Sequence, residues 1–174
     1  MNDCRPKDRN TVETALICKR EELLYDIRNY LFVEGDIMED GQQHQRHVVQ
    51  DVGEAGNVDR VTRVLDLAHA EAVEMLYPFS KQEIRDRVLD DRLRERKVYG
   101  IILNVPREFS QTTLNALEKL VHEYMVCRAV ADWLSISNTQ KAAVWKEKTE
   151  ELASAIRSKP RLRRGPLRIR QSPF

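Results

Sequence analysis

Histidines, cysteines and acids are the residues here that could ligate a metal or move a proton, so their spacing is the first test of chemistry. The run Asp36-Ile37-Met38-Glu39-Asp40-Gly41 has the outline of a calcium loop. Met38, however, stands where an oxygen ligand belongs, and His47 occupies the place of the bidentate Glu. His44 and His47 are three apart and could share a helix face, but no Cys or second acid-bearing pair completes a tetrahedral set. His69-Ala70-Glu71 matches the first half of a zinc-deaminase signature, and no P-C-x-x-C follows it. His122 beside Glu123, and His69 near Glu71, cannot form acid–base pairs on a helix, because neighbours one or two apart do not face each other.

Nucleophile and nucleotide chemistry fare no better. Cys127 lies inside an apolar run and reads as a small core residue, whereas a catalytic thiol needs exposure and activation. None of the six glycines is arranged as G-x-G-x-x-G or G-x-x-x-x-G-K. The expectation is a protein without catalytic residues, metal or cofactor. Trp133 and Trp145 could mark a binding surface, but both fall on the apolar faces of two helices expected to pair, which favours packing. The strongest functional pointer is the C-terminal stretch, where Arg157, Lys159, Arg161, Arg163, Arg164, Arg168 and Arg170 place seven cations and no acid. Leu162, Leu167, Ile169 and the terminal Phe174 are interleaved with them, and such a segment has no reason to bury itself in its own domain.

The 174 residues fit one domain with tails. Acids and bases nearly balance at a net charge of +1, so removing the seven C-terminal cations leaves residues 1–156 at −6. An acidic body with a basic end can attract nucleic acid, or the acidic body of a neighbouring copy. Cys4, Cys18 and Cys127 are odd in number and widely separated, and no apolar leader opens the sequence, so neither a disulfide framework nor secretion is expected. No stretch approaches the roughly 20 apolar residues of a membrane span.

The elements expected to carry these residues are mostly helical. Residues 1–13 read as a flexible arm, and a first helix is expected from about Thr14 to Val33, stopped by Gly35. Residues 35–56 read as a loop insertion, with Val48–Val52 as a candidate short strand. Asn57 is positioned to cap a helix carrying Val58, Val61, Leu65, Ala68, Ala72 and Leu76, ended by Pro78. Ser80-Lys81-Gln82-Glu83 has capping-box spacing and opens a charged helix to about Glu95.

Tyr99, Ile101, Leu103 and Val105 alternate as one face of a strand near 98–105, which needs a partner from Val48–Val52 or from another subunit. Ser110 then caps the most apolar helix, to about Leu134. After a break at Ser135–Asn138, a last helix with Ala142, Trp145, Thr149, Leu152 and Ile156 should pack antiparallel on it. Pro160 and Pro166 keep the basic arm, 158–174, from being helical throughout. The fold class is therefore mainly α: a bundle of four to five helices (residues 14–157) with a small β element and extended N- and C-terminal arms.

Across roughly residues 19–174, the chain resembles head–tail connector and tail-completion (neck) proteins of tailed bacteriophages, as found in phages and prophages of Bacteroides-type bacteria. The resemblance rests on Leu23-Leu24-Tyr25-Asp26-Ile27, Asn57-Val58-Asp59-Arg60-Val61, the strand ending at Val105-Pro106, Leu120-Val121-His122-Glu123-Tyr124, Ala131-Asp132-Trp133-Leu134 and Ser172-Pro173-Phe174. It implies a structural protein, made in the host cytoplasm and residing in the virion. Such a protein forms a homo-oligomeric ring between portal and tail, with no reaction and no membrane. Its implied partners are copies of itself, the portal, tail or other neck proteins, and the packaged DNA as a candidate contact. The long Gly35–Gly56 segment and the charged helix from Lys81 depart from the commonest connector pattern and leave the neck layer open. The alternatives are a nucleic-acid-binding protein using the Arg-rich tail, against which the acidic body speaks, and an adaptor with a single protein partner.

Overall fold

An alternating strand needs a ladder partner. The computed structural model describes residues 11–38, 43–77, 79–81 and 96–160, and in it the partner is the segment ahead of the first helix. Strand β1 (Thr11–Lys19) pairs antiparallel with strand β2 (Val98–Pro106), with Thr11 opposite Pro106, Ala15 opposite Ile102 and Lys19 opposite Val98. Leu16, Cys18, Tyr99, Ile101, Leu103 and Val105 are buried on the inner face.

This corrects two expectations. Residues 14–19 belong to β1 rather than to the first helix: Val12, Thr14, Leu16 and Cys18 repeat at two, and Thr11, Val12, Thr14 and Ile17 are β-branched residues suited to a pleated surface. The candidate strand Val48–Val52 is instead the end of a helix and a 3-10 turn. Its buried residues are Val49 and Val52, three apart, which is a helical spacing.

Five α-helices follow among the described residues: α1 (Arg20–Asp36), α2 (Gln43–Gln50), α3 (Ala55–Met75), α4 (Gln111–Ser137) and α5 (Thr139–Ser158). The protein is mainly α with a small two-stranded β element, as expected. Helix α1 buries Leu23, Ile27, Leu31 and Gly35 as one stripe. Gly35 is thus inside α1 rather than its stop. A Cβ there would lie 2.8 Å from Cγ of Gln50, so the glycine is what allows α2 to cross so closely. The expected 35–56 loop is accordingly structured at 43–53 by α2 and the 3-10 turn Asp51–Gly53.

Helix α3 starts three residues earlier than expected, with Glu54 at its N-cap. The Asn57 side-chain amide instead donates to the Asp51 carbonyl at 2.8 Å. Beyond α3, the Ser80 hydroxyl turns back and donates to the Val73 carbonyl at 2.5 Å. The charged helix expected from Lys81 to Glu95, and Glu83 of its capping box, lie outside the described residues after Lys81.

Helix α4 is central, with Leu117, Val121, Met125, Val126, Cys127, Val130 and Leu134 nearly inaccessible. It runs on to Ser137, so the expected break shrinks to Asn138, whose Oδ1 accepts from the Lys141 N–H at 3.1 Å and caps α5. Helix α5 lays Thr149, Ala153 and Ile156 against α4, with Ala142, Trp145 and Leu152 partly buried beside them. Both tryptophans serve packing with their N–H satisfied: Trp133 donates to the Val49 carbonyl at 3.1 Å and Trp145 to Glu34 Oε1 at 3.0 Å.

Candidate interaction surface

Two helical faces and one sheet edge carry the polar side chains left over from the core. Helices α3, α4 and α5 enclose an open groove of about 1310 Å³. Small residues such as Ala131, Ala142 and Ala153 floor it, and Arg157 stands in its wall. Three of its polar groups are spent on one another. Tyr124 Oη donates to Glu71 Oε2 at 2.5 Å, and Arg128 Nε lies 3.5 Å from the same oxygen. Arg60 Nη2 meets Asp132 Oδ2 at 3.1 Å. Burial, and then the Glu71 carboxylate, push the Tyr124 phenol far above its ordinary value, so it stays a neutral donor.

Across the bundle, α5 is tied to α1 and α4 by a second network. Lys148 Nζ donates to Glu123 Oε1 at 2.8 Å, which also accepts from the Tyr30 hydroxyl at 3.1 Å. The same ammonium lies 5.2 Å from the Tyr30 ring centre and 4.9 Å from that of Trp145. Burial alone would raise the Glu123 carboxyl, but the hydrogen bond and charge of Lys148 outweigh it and hold the carboxyl below its ordinary value. Lys141 pairs with Glu34 one turn away.

The third region is the edge of β1. A cleft of about 560 Å³ separates that edge from α4, with Glu22, Glu118, His122 and Glu123 in its walls beside Lys19 and Lys119. A smaller hollow of about 420 Å³, lined by Glu21, Glu22, Tyr25, Asp26 and His122, adjoins it. Glu118 accepts the outward-facing N–H of Ile17 at 3.0 Å. On the outer sheet face, Ile17, Val98 and Ile102 are 52%, 49% and 41% exposed.

The residues examined for chemistry are dispersed. His44 and His47 are both exposed on α2. His69 Nε2 lies 2.9 Å from the Gly100 carbonyl, and His122 Nε2 lies 2.8 Å from Asp26 Oδ2. Among the described residues, no group of three or more His, Cys, Asp or Glu is placed to hold a metal ion. Burial, and then Glu123, push the Cys127 thiol up to about 12, and burial with Glu118 and Glu22 pushes Cys18 up to about 11. Both thiols are neutral at physiological pH. No helix among the described residues is long and apolar enough to cross a membrane.

Of the cationic residues singled out in the sequence, Arg157 and Lys159 are exposed at the end of α5. Arg161, Arg163, Arg164, Arg168, Arg170 and Phe174 lie outside the described residues. Glu118, Glu22 and the outer face of β1 are not singled out by the sequence, because Leu16 and Leu23 at helical spacing extend the expected first helix over residues 14–19. The exposed Ile17 between buried Leu16 and Cys18 is the alternation that would have shown them. Set against family models, curated proteins and solved structures, the chain matches none of them.

Proposed function

We propose that this chain is a structural neck protein of a tailed bacteriophage. In this reading copies of it assemble into a ring between portal and tail, and the C-terminal arm makes contacts between subunits or rings. The observation that carries the reading is the separation of charge between body and arm. Within the body, Lys19, Arg46, Arg60, Arg128, Lys141 and Lys148 are each paired with a body carboxylate. Helix α5 delivers Arg157 and Lys159 to the surface unpaired with a carboxylate among the described residues, as Arg63, Lys119 and Lys146 also are, but Arg157 and Lys159 open a segment with five further arginines and no acid. In this reading the arm's charge is met by another acidic body, and each copy supplies one.

Native mass spectrometry of the full-length chain over a concentration series, with negative-stain images of the same sample, tests the proposal. The expected result is a closed oligomer of fixed, large copy number that dissociates as salt is raised. A chain that stays monomeric and binds duplex DNA tightly, with a steep salt dependence, overturns it in favour of nucleic-acid binding through the arm.

A further inference from the structure

A two-stranded sheet has two edges, and this one treats them differently. In an antiparallel ladder, every second residue turns its N–H and C=O away from the partner strand. On β2 two of these groups are answered from within the body, on either side of Ile102: the Gly100 carbonyl meets His69 Nε2 at 2.9 Å, and the Asn104 N–H donates to the Phe79 carbonyl at 2.9 Å. On β1 the Ile17 N–H is answered by Glu118, and the same parity directs Ala15 and Glu13 outward. Glu13 and Ala15 are exposed, and their outward backbone groups find no partner among the described residues. An unpaired row of this kind is a template for one more strand.

The chain itself contains a segment that fits. Pro166-Leu167-Arg168-Ile169-Arg170-Gln171 alternates apolar and cationic residues at the strand period of two. Added beside β1, such a strand would set Leu167 and Ile169 on the outer sheet face, continuing the exposed row of Ala15, Ile17 and Ile102. Arg168 and Arg170 would then enter the cleft toward α4, where Glu118 has the Ile17 N–H as its only partner among the described residues. Pattern, polarity and charge therefore agree on one orientation of the arm.

We infer that the open edge of β1 is the docking site for residues 166–171 of a second copy of this chain, joining neighbouring subunits by strand addition. The inference rests on the assembly proposed above and names the surface that receives the arm. Six residues separate Pro160 from Leu167, a reach of up to about 23 Å, enough to cross to an adjacent body. An arm docked on an edge is a head-to-tail contact, because donor and acceptor surfaces differ. Such contacts close into rings when the rotation between subunits permits.

The test uses full-length chains carrying Cys4→Ser. One variant adds Ala15→Cys and another adds Leu167→Cys; the two are mixed and oxidised. Strand neighbours bring Cα atoms to roughly 4.5–5.5 Å, within disulfide range. The expected result is a covalent dimer from the mixture and from neither variant alone. Adding Ile169→Pro to the arm, which keeps every cation and cannot unfold the body, should lower the yield by about tenfold through the lost ladder bonds. An undiminished yield with Ile169→Pro overturns strand addition, since charge alone would then be holding the arm. An internal disulfide in a chain carrying both cysteines, without covalent dimer in the mixture, overturns docking in trans. Rings by native mass spectrometry without any cross-link overturn this site while leaving the assembly reading standing, whereas a monomer binding DNA removes both.

Discussion

Ile101 and Ile102 are adjacent, identical in chemistry and on opposite faces of β2, so replacing each with alanine asks whether the ladder is in register. Ile101 is 2% exposed and sits in the core, whereas Ile102 is 41% exposed opposite Ala15. Emptying the Ile101 site removes three buried carbons and leaves a cavity in a packed interior, a loss of about 3 kcal/mol within the usual 2–5 range. For a chain of this size that corresponds to a Tm lower by roughly 6–12 °C. With a urea dependence of about 2 kcal/mol per molar, the midpoint falls by about 1.5 M. Ile102→Ala loses mainly its cross-strand contact with Ala15 and should cost below about 1 kcal/mol. Urea denaturation followed by circular dichroism, at the lowest workable concentration, gives both numbers. Equal costs, or a larger cost at Ile102, would refute the register, because a one-residue slip exchanges the two faces throughout the strand.

Four further outcomes are expected. Lys148→Met should destabilise by about 1 kcal/mol at pH 7, a value discounted for the partial exposure of the pair. Because Glu123 is held below its ordinary carboxyl value of 4.5, its contribution is present above that value and is lost as pH falls through the folded one, so wild type and Lys148→Met should converge in urea titrations as the pH is taken below it. Cys18 and Cys127, with thiols pushed up to about 11 and about 12, should alkylate at pH 8 at least about a hundredfold faster in denaturant than in the folded chain, as read by peptide mass mapping. Trp133→Phe should cost about 2 kcal/mol in the same urea assay, because it strands the Val49 carbonyl in the core. Gly56→Ala, near the start of α3 with nothing within 4 Å of the added Cβ, should raise stability by about 0.5–1 kcal/mol and lift the Tm accordingly.

The parts of the fold that could be read from sequence are those where one period dominates. Tyr99, Ile101, Leu103 and Val105 leave no choice but a strand, and the stripes of α3 and α5 no choice but helices. Reading failed where two periods share residues. Leu16 serves the two-residue repeat of β1 and also precedes Leu23 at a helical interval, so the boundary at Lys19–Arg20 was hidden, and the sheet partner with it. Gly35 and Asn57 misled for another reason. Their types suit a helix stop and a cap, but a glycine also serves a close crossing and an asparagine also ties a turn, and only packing decides between such uses. The cationic arm was legible as composition, whereas the surface proposed to receive it depends on which backbone groups of β1 the body leaves unanswered.

That asymmetry between the two edges bears on specificity. An open edge invites any strand, and the most abundant strand near one copy's β1 is the same β1 of another copy. Such a pairing would bring Glu13, Glu22 and Glu118 of two bodies together, each body at −6 by sequence, and of the two lysines beside them, Lys19 and Lys119, the first is already paired with Glu22. A basic, alternating segment meets the same edge with opposite charge, gaining the ladder bonds and relieving the acids at once. The acids around β1 thus oppose the symmetric dimer, which would close after two copies, and favour the head-to-tail contact, which can propagate around a ring. Replacing Glu13, Glu22 and Glu118 with glutamine keeps the edge open and removes that discrimination, so the variant should shift from fixed rings toward dimers and irregular aggregates by native mass spectrometry. Unchanged rings would show that shape, and not charge, selects the arm.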